Sequence, residues 1–481
     1  MRRVLTIPRA TSPIPKLTSF VRYLTIFVLG ISSAVVPRET TLSVIVLLIS
    51  ITSLCIPILG LVILLVIRGF WDATQFTAVE GVSWWGWLYT ESGPILLPVI
   101  AIGVAILLFN VASSSILRKS IRRIDLFGIL VISIVVIGTM NAVLRQNDIV
   151  KVVKDASFIA GLLLILLVST LNTHQAKLVF VSTLVISCVS DLTTLIEAVR
   201  RMVYFGQDFQ SFLMHTYRIV KTDHFAPMVI LIGFFLAYPR RYNSCKEQIL
   251  IVVFLYFILR FSLNFTRLNW IVLFSTIVVY IIMHSRRYIV RHLNKLIRTT
   301  FVIGIGIYVL TGATTGRWNI NQQPLVARFT NVNLQNDVSI RFRITESKLL
   351  WQDFVRSPII GVGFGSQISP MDPAEPERNN ITAFFNGYFG LLQKVGLVGT
   401  GAILVYLAVI FREIARARKY NLDAFSSAMI NGAFMYCIGL ALIIPISDTL
   451  FTNFYSIIFS AIVGSALAVA RVEPANKQAY T

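Results

Sequence analysis

A chain of 481 residues that is 56% hydrophobic and 14% charged has too little polar surface for a soluble protein of that size, in which charged residues make up about 25%. The mean hydropathy is +0.76, and long apolar runs recur from end to end, as they must where each helix needs about 20 apolar residues to cross lipid. The net charge of +21 does not point to nucleic acid: no basic stretch is interleaved with a base-stacking module, and membrane proteins concentrate Lys and Arg in cytoplasmic loops.

In chain order, the basic, Pro-punctuated Met1–Lys16 segment reads as no cleavable signal peptide, because no small-residue cleavage site follows it. Apolar stretches near 20–36, 41–67, 94–113, 125–144, 156–171 and 178–198 predict helices, and a second set lies near 225–238, 248–266, 267–283, 299–312, 396–411, 425–446 and 455–470. Compact basic loops, such as Arg118–Arg123, Arg286–Arg298 and Arg412–Lys419, face the cytoplasm by the positive-inside rule. Segments 68–93, 145–155, 199–224, 313–395 and 447–454 then face outward. The basic N-terminus requires one stretch not to cross; 20–36 is short and ends at Pro37, so it is the one chosen. The expected architecture is all-α: a polytopic transmembrane helical bundle of about 12 spans, one integral membrane domain over 1–481, with a large helix-containing outer loop at 313–395 and a second functional outer loop at 199–224. Cys55, Cys188, Cys245 and Cys437 form no CxxC and read as small core residues.

The two outer loops carry more positive charge than their side should hold. Arg200, Arg201, Arg218 and Lys221 lie in the first, and the second includes Arg317, Arg328, Arg341, Arg343, Arg356 and Lys394. Anion binding is the physical reason for such arginines. Within the large loop, Leu349, Leu350, Trp351 and Phe354 recur at helical spacing and predict an amphipathic helix ending before Pro358. Gly361-Val362-Gly363-Phe364-Gly365-Ser366 follows. A nucleotide loop would need a preceding strand; here a helix and a proline precede it, so a tight backbone turn that returns the loop to the membrane surface is expected. Arg260 is embedded in an apolar run, and an intramembrane arginine is a site candidate by default. Glu346 follows Arg343 by three residues, beside it on a helix, as a base or as the partner in a structural ion pair. Asp337 and His224 are the other candidate bases, and His224, beside Asp223 at a helix mouth, also fits an interfacial polar residue. The outer loops lack the clustered Asp and His of a divalent site, so neither metal nor cofactor is expected.

The order of an Arg-rich segment, a Trp-containing helix, Pro358–Ser366 and then Asn386-Gly387-Tyr388 leading to Gly396-Leu397-Val398-Gly399 resembles the O-antigen ligase and polysaccharide polymerase family. The likeness extends to Phe265–Trp270 and to Tyr217-Arg218, and covers roughly residues 120–470. It implies metal-independent, inverting glycosyl transfer from a glycan on a polyprenyl diphosphate, at the outer face of the inner (plasma) membrane. Arg218 and Arg267 match the family's diphosphate-binding arginines, with Arg341, Arg343, Arg260 and Asn386 as further substrate-binding candidates. The partners implied are the lipid-linked glycan, the bilayer, a chain-length regulator and a flippase. The family's ligases carry a histidine before the asparagine of the Asn-Gly-Tyr motif, where this chain has Phe385. That departure favours a polymerase of O-antigen or exopolysaccharide repeat units over a ligase acting on lipid A-core, and leaves the base open. The alternative of another class is a membrane transporter or flippase. Transporters show internal repeats and broken helices with midplane polar residues; no such pairing is expected here, which favours the enzyme.

Overall fold

The computed structural model describes residues 123–147, 149–204, 225–238, 245–262, 267–283, 338–366, 387–420, 422–444 and 453–479. Among them all regular structure is helical: α1 Arg123–Leu144, α2 Ile149–Val168, α3 Thr173–Tyr204, α4 Phe225–Ala237, α5 Cys245–Ser262, α6 Arg267–Ile282, α7 Val338–Arg356, α8 Gly387–Ala417, α9 Ala424–Ile443 and α10 Asn453–Ala479. The stretches expected at 20–36, 41–67, 94–113 and 299–312 lie outside the described residues. Among the described residues three helices are long and apolar enough to cross a membrane, with spans at Leu126–Leu144, Gly387–Ala417 and Ala424–Ile443, and shorter apolar helices occur in α3, α4, α5, α6 and α10.

The side-chain distribution is that of helices with an apolar surroundings on one side and a packed, partly polar interior on the other. On α1, Leu126, Ile129, Ile137 and Met140 are exposed while Val131, Ile134 and Ala142 are buried. The interior takes Thr183, Ser187 and Thr276, whose hydroxyls donate to the carbonyl four residues back, to Val179, Thr183 and Val272 respectively. That bond satisfies a hydroxyl inside a helix without any partner from outside it.

Small residues set which helices touch. α10 packs along α2 and α3, α9 against α4 and α6, and α8 against α1. Ser460 Oγ donates to the Gly161 carbonyl at 2.6 Å across the α10–α2 contact, and Gly233 of α4 meets Gly432 of α9 so closely that a Cβ on either would strike the other helix's backbone. Without water to drive apolar surfaces together, close backbone approach of this kind is what holds helices together in lipid.

Several boundaries differ from the sequence expectation. Only a short turn separates α1 from α2, so most of 145–155 is not a loop: α2 begins at Ile149 and contains Asp155. Lys151, Lys154 and Asp155 make the first turns of α2 look like a polar loop, yet Asp155 is buried. α3 continues through Tyr204, which makes 199–204 helical, and α8 begins at Gly387, nine residues before the expected 396.

Candidate functional site

The site is built around a break in α8. Gly396 has φ 66° and ψ −169°, outside the helical region, in the middle of an otherwise helical span. A positive φ there suits only a residue without a Cβ, and a Cβ on Gly396 would run into the Ile359 carbonyl. The break lies about 14 Å along the helix from Gly387, at 1.5 Å per residue.

A break in an apolar helix leaves backbone groups that lipid cannot satisfy. An unbroken α8 would join Leu397 N–H to Gln393 O and Val398 N–H to Lys394 O, the ordinary four-residue bonds. Instead the segment 357–366 supplies partners for all four groups. Val362 N–H donates to Gln393 O at 2.8 Å and Gly363 N–H to Lys394 O at 3.0 Å; Leu397 N–H donates to Pro358 O at 2.8 Å and Val398 N–H to Ile359 O at 3.2 Å. This strap carries the glycine motif, and Gly361, Gly363 and Gly365 all have positive φ. The expected tight turn is present, but it is packed between helices: Gly361 and the stretch 363–366 are all buried.

The strap is also pinned to the α1 end. Asn141 Nδ2 donates to Gly361 O at 3.0 Å, Asn147 Nδ2 to Phe364 O at 2.8 Å, and the Arg145 guanidinium to Ser357 Oγ at 3.2 Å. Phe364 is fully buried with its ring over Gly138, where any Cβ would collide with it.

Under the strap lies a buried ion pair. Lys394 Nζ is 2.6 Å from Asp155 Oδ1, and the two side chains are 4% and 6% exposed. The second carboxylate oxygen of Asp155 accepts from Gly365 N–H at 2.7 Å. Charges this deep are costly unless paired and hydrogen-bonded; here each oxygen of the carboxylate has its own donor, one of them cationic. The pair therefore ties α2, α8 and the strap together at one point.

A second polar chain runs from the strap to α7. Ser366 Oγ donates to Gln393 Oε1 at 3.2 Å, Gln393 Nε2 donates to Asp353 Oδ2 at 3.1 Å, and Arg356 lies 3.2 Å from Asp353. α7 is seated on α8 by Leu350, which is buried against Leu349 and Phe389, and by Trp351, whose ring centroid is 5.1 Å from Phe354 and 6.0 Å from Phe389. Arg343, Glu346, Leu350 and Phe354 share one face of α7 by their three- and four-residue spacing. Glu346 is fully buried on that face, and Arg343 is half-buried.

The expected site residues are distributed as follows. Arg341, Arg343 and Glu346 all lie in α7, Arg267 is the first residue of α6, and Arg260 lies in the last turns of α5; for Arg341, Arg260 and Arg267 the backbone alone is described. One turn before Arg260, the Tyr256 hydroxyl donates to Asp191 at 2.7 Å, and Asp191 is buried in α3. Asp337, His224, Arg218 and Asn386 lie outside the described residues. Among the described residues no three His, Cys, Asp or Glu side chains come together as a metal ion would require.

Two features escape the sequence reading. Lys394 counts there as an outer-loop cation and Asp155 as a loop residue, whereas both are buried within helices. The available signal was a lone acid in the apolar run from Ile149 to Val168 and a lone lysine in the apolar run after Gly387. The other is the broken helix, which the sequence reading does not expect. Gly-Leu-Val-Gly is compatible with a continuous apolar helix, and the bonds that stabilise the break come from residues more than 30 positions earlier. Compared with family models and with curated proteins, the chain gives no match.

Proposed function

We propose that the protein is a membrane glycosyltransferase that polymerises polyprenyl-diphosphate-linked oligosaccharide repeat units, of O-antigen or exopolysaccharide, at the outer face of the inner membrane. One observation carries this reading. The two motifs on which the family resemblance rests, Pro358–Ser366 and Asn386–Gly399, interlock through four backbone hydrogen bonds, and the helix that bears Arg341, Arg343 and Glu346 is docked on the same unit. On this reading the bundle has about twelve spans, and the arginine-rich loops face the side where the lipid-linked donor is presented.

The chemistry asks little of the protein beyond charge and position. The acceptor hydroxyl oxygen attacks the anomeric carbon from the face opposite the diphosphate. The bond from that carbon to the diphosphate oxygen breaks, the diphosphate leaves on its lipid, and the hydroxyl proton passes to a base. Arg218, Arg267, Arg341 and Arg343 are the groups suited to the leaving diphosphate, because guanidinium binds phosphate oxygens through two parallel charge-assisted bonds and stays protonated. Stabilising charge as it develops there is the largest single contribution such a site can make. Glu346 is the first candidate for the base, with Asp337 and His224 behind it.

Deleting the gene and separating the surface glycans on a gel tests the reading. Single repeat units on lipid A-core, or loss of an exopolysaccharide, fit a polymerase; naked core with accumulated lipid-linked polymer fits the ligase alternative; unchanged glycans reject both. Purified chain should extend a lipid-diphosphate-linked donor in the presence of chelator, and activity that disappears in chelator and returns with magnesium would reject the metal-free mechanism.

The break in α8 favours a second reading, a transporter or flippase, since discontinuous helices with buried polar groups are a feature of transport sites. Translocation of a labelled lipid-linked glycan in liposomes holding the purified chain, without chain extension, would replace the enzyme by this reading.

A further inference from the structure

We propose that Asp155 and Lys394 are positioning residues: their buried ion pair latches the strap 357–366 into the break of α8, and the latched strap holds α7, with Arg343 and Glu346, in its seat on α8. The importance given to α7 rests on the proposed function; the latch itself rests on the geometry alone.

The four backbone groups that the strap satisfies, Gln393 O, Lys394 O, Leu397 N–H and Val398 N–H, are the donors and acceptors of two ordinary helix bonds. If the strap leaves, α8 loses nothing by closing those two bonds within itself, and leaving them open in an apolar setting is not an option. Strap docking and the break in α8 are therefore one two-state element. Docked, the strap gains four backbone bonds where the continuous helix has two, but it must order a segment with three glycines, whose chain entropy is the highest of any residue.

What tips the balance lies beside the break. Asp155 on α2 accepts from Gly365 of the strap at 2.7 Å and pairs with Lys394 at 2.6 Å. Lys394 sits two residues before Gly396, so closing the helix would rotate or shift the residues that flank the break, including the lysine, relative to α2. The pair is thus specific to the broken state. The strap follows α7 directly, since α7 ends at Arg356 and the strap begins at Ser357, and Gln393 of the same α8 turn holds Asp353 of α7 at 3.1 Å. Undocking the strap frees the C-terminal end of α7, where Asp353 lies.

Hydrogen exchange of backbone amides, read by mass spectrometry on the full chain in detergent or nanodiscs, tests the latch. Val362 and Gly363 are the reporters, because they donate to α8 and not to the ion pair. The double variant Asp155→Asn with Lys394→Met removes the pair without burying an unpaired charge, so it keeps the fold where either single variant fails. Expected is exchange at Val362 and Gly363 faster by roughly 10-fold, the scale of a charge-assisted hydrogen bond from Gly365 weakened to a neutral one, together with faster exchange in α7. Leu397 and Val398 should stay protected as α8 closes, and α1, α2 and α9 should be unchanged. Gly396→Ala reaches the same undocked state by another route, by disfavouring the positive φ, and should give the same pattern.

Strap amides as protected in the double variant as in the native chain, with Gly396→Ala opening them, would overturn the proposal, because the strap would then hold without the pair. Equal loss of protection across α1, α2 and α9 would also overturn it, reducing the pair to general stability. Glycan transfer measured on the same samples is a separate readout: a native chain that transfers no sugar rejects the enzyme reading and leaves the exchange result to decide the latch.

Discussion

Asp423 caps α9 from the turn after α8. Its carboxylate accepts from the Ser426 N–H at 3.1 Å and from the Ser426 hydroxyl, and Lys177 Nζ lies 3.0 Å from both of its oxygens. Partial burial pushes this carboxyl up, but the hydrogen bonds from Ser426 and Lys177 and the lysine charge together outweigh that and hold it below its ordinary value. A carboxylate lowered on folding contributes stability above its unfolded value, near pH 4, and loses that contribution as the pH falls through the lower folded value. Asp423→Ala should therefore destabilise the protein by about 1 kcal/mol at neutral pH, the usual worth of a helix cap. The gap to the native chain should narrow as the pH falls below about 4. Thermal unfolding in detergent from pH 7 downward measures it, and a gap constant across that range would show that the cap does not act through its charge. At the proposed donor site, Arg218→Ala and Arg267→Ala should abolish chain extension in protein that still inserts, with lysine restoring it only in part because the bidentate geometry is lost. Native-length polymer from both alanine variants would remove these arginines from the mechanism. Glu346→Gln keeps the shape of a fully buried side chain and removes its charge; transfer should fall while α7 stays seated, and an unchanged rate and pH profile would shift the base to Asp337 or His224.

Glycine at two kinds of helix position separates contact from conformation at the level of elements. Gly432 of α9 faces Ile230 of α4 with no room for a Cβ, while Gly401 of α8 has nothing within 4 Å of where its Cβ would be. Gly432→Ala must push α4 and α9 apart and should cost about 1–3 kcal/mol, as overpacking does. Gly401→Ala should be neutral or stabilising by up to about 1 kcal/mol, because it only restricts the unfolded chain and favours the helix. Melting temperatures of the two variants side by side provide the check, and equal shifts would mean that the α4–α9 contact is looser than the backbone approach implies. The amphipathic α7 was legible because Leu350 and Phe354 repeat at helical spacing above a proline stop, and both are buried. That it seats on the first turns of α8 was not legible, since those turns, Gly387 to Val395, read as the end of a loop.

For the whole molecule, the positive-inside rule orients the chain through loops rather than through helices. It places the basic segment 284–298 inside and 313–395 outside, with one predicted span between them. Reporter fusions at Tyr288 and Asn333 should give β-galactosidase activity at the first and phosphatase activity at the second; β-galactosidase activity at Asn333 would overturn the orientation and with it the proposed site of glycan transfer. The turn joining α1 and α2, the strap and the start of α8 lie together at one end of the described helices through the bonds of Asn141, Asn147 and Asp155, so a single fusion result orients the whole unit.

The all-helical character and the approximate limits of α1, α4, α6 and α9 follow from the sequence by itself, because an apolar run of sufficient length has one way to satisfy its backbone in lipid and that way is local. So does the glycine turn after Pro358, since alternate glycines permit positive φ wherever they occur. The break at Gly396 and the pairing of Asp155 with Lys394 were decided by tertiary structure alone. Nothing within α8 disfavours a continuous helix strongly enough to open it. The bonds that replace its own come from a strap some 30 residues earlier, and the carboxylate that meets Lys394 lies 239 residues away in sequence. Local spacing carries no record of which distant groups will meet, so a lysine read as a loop cation became half of a buried pair once α2, α8 and the strap closed around it.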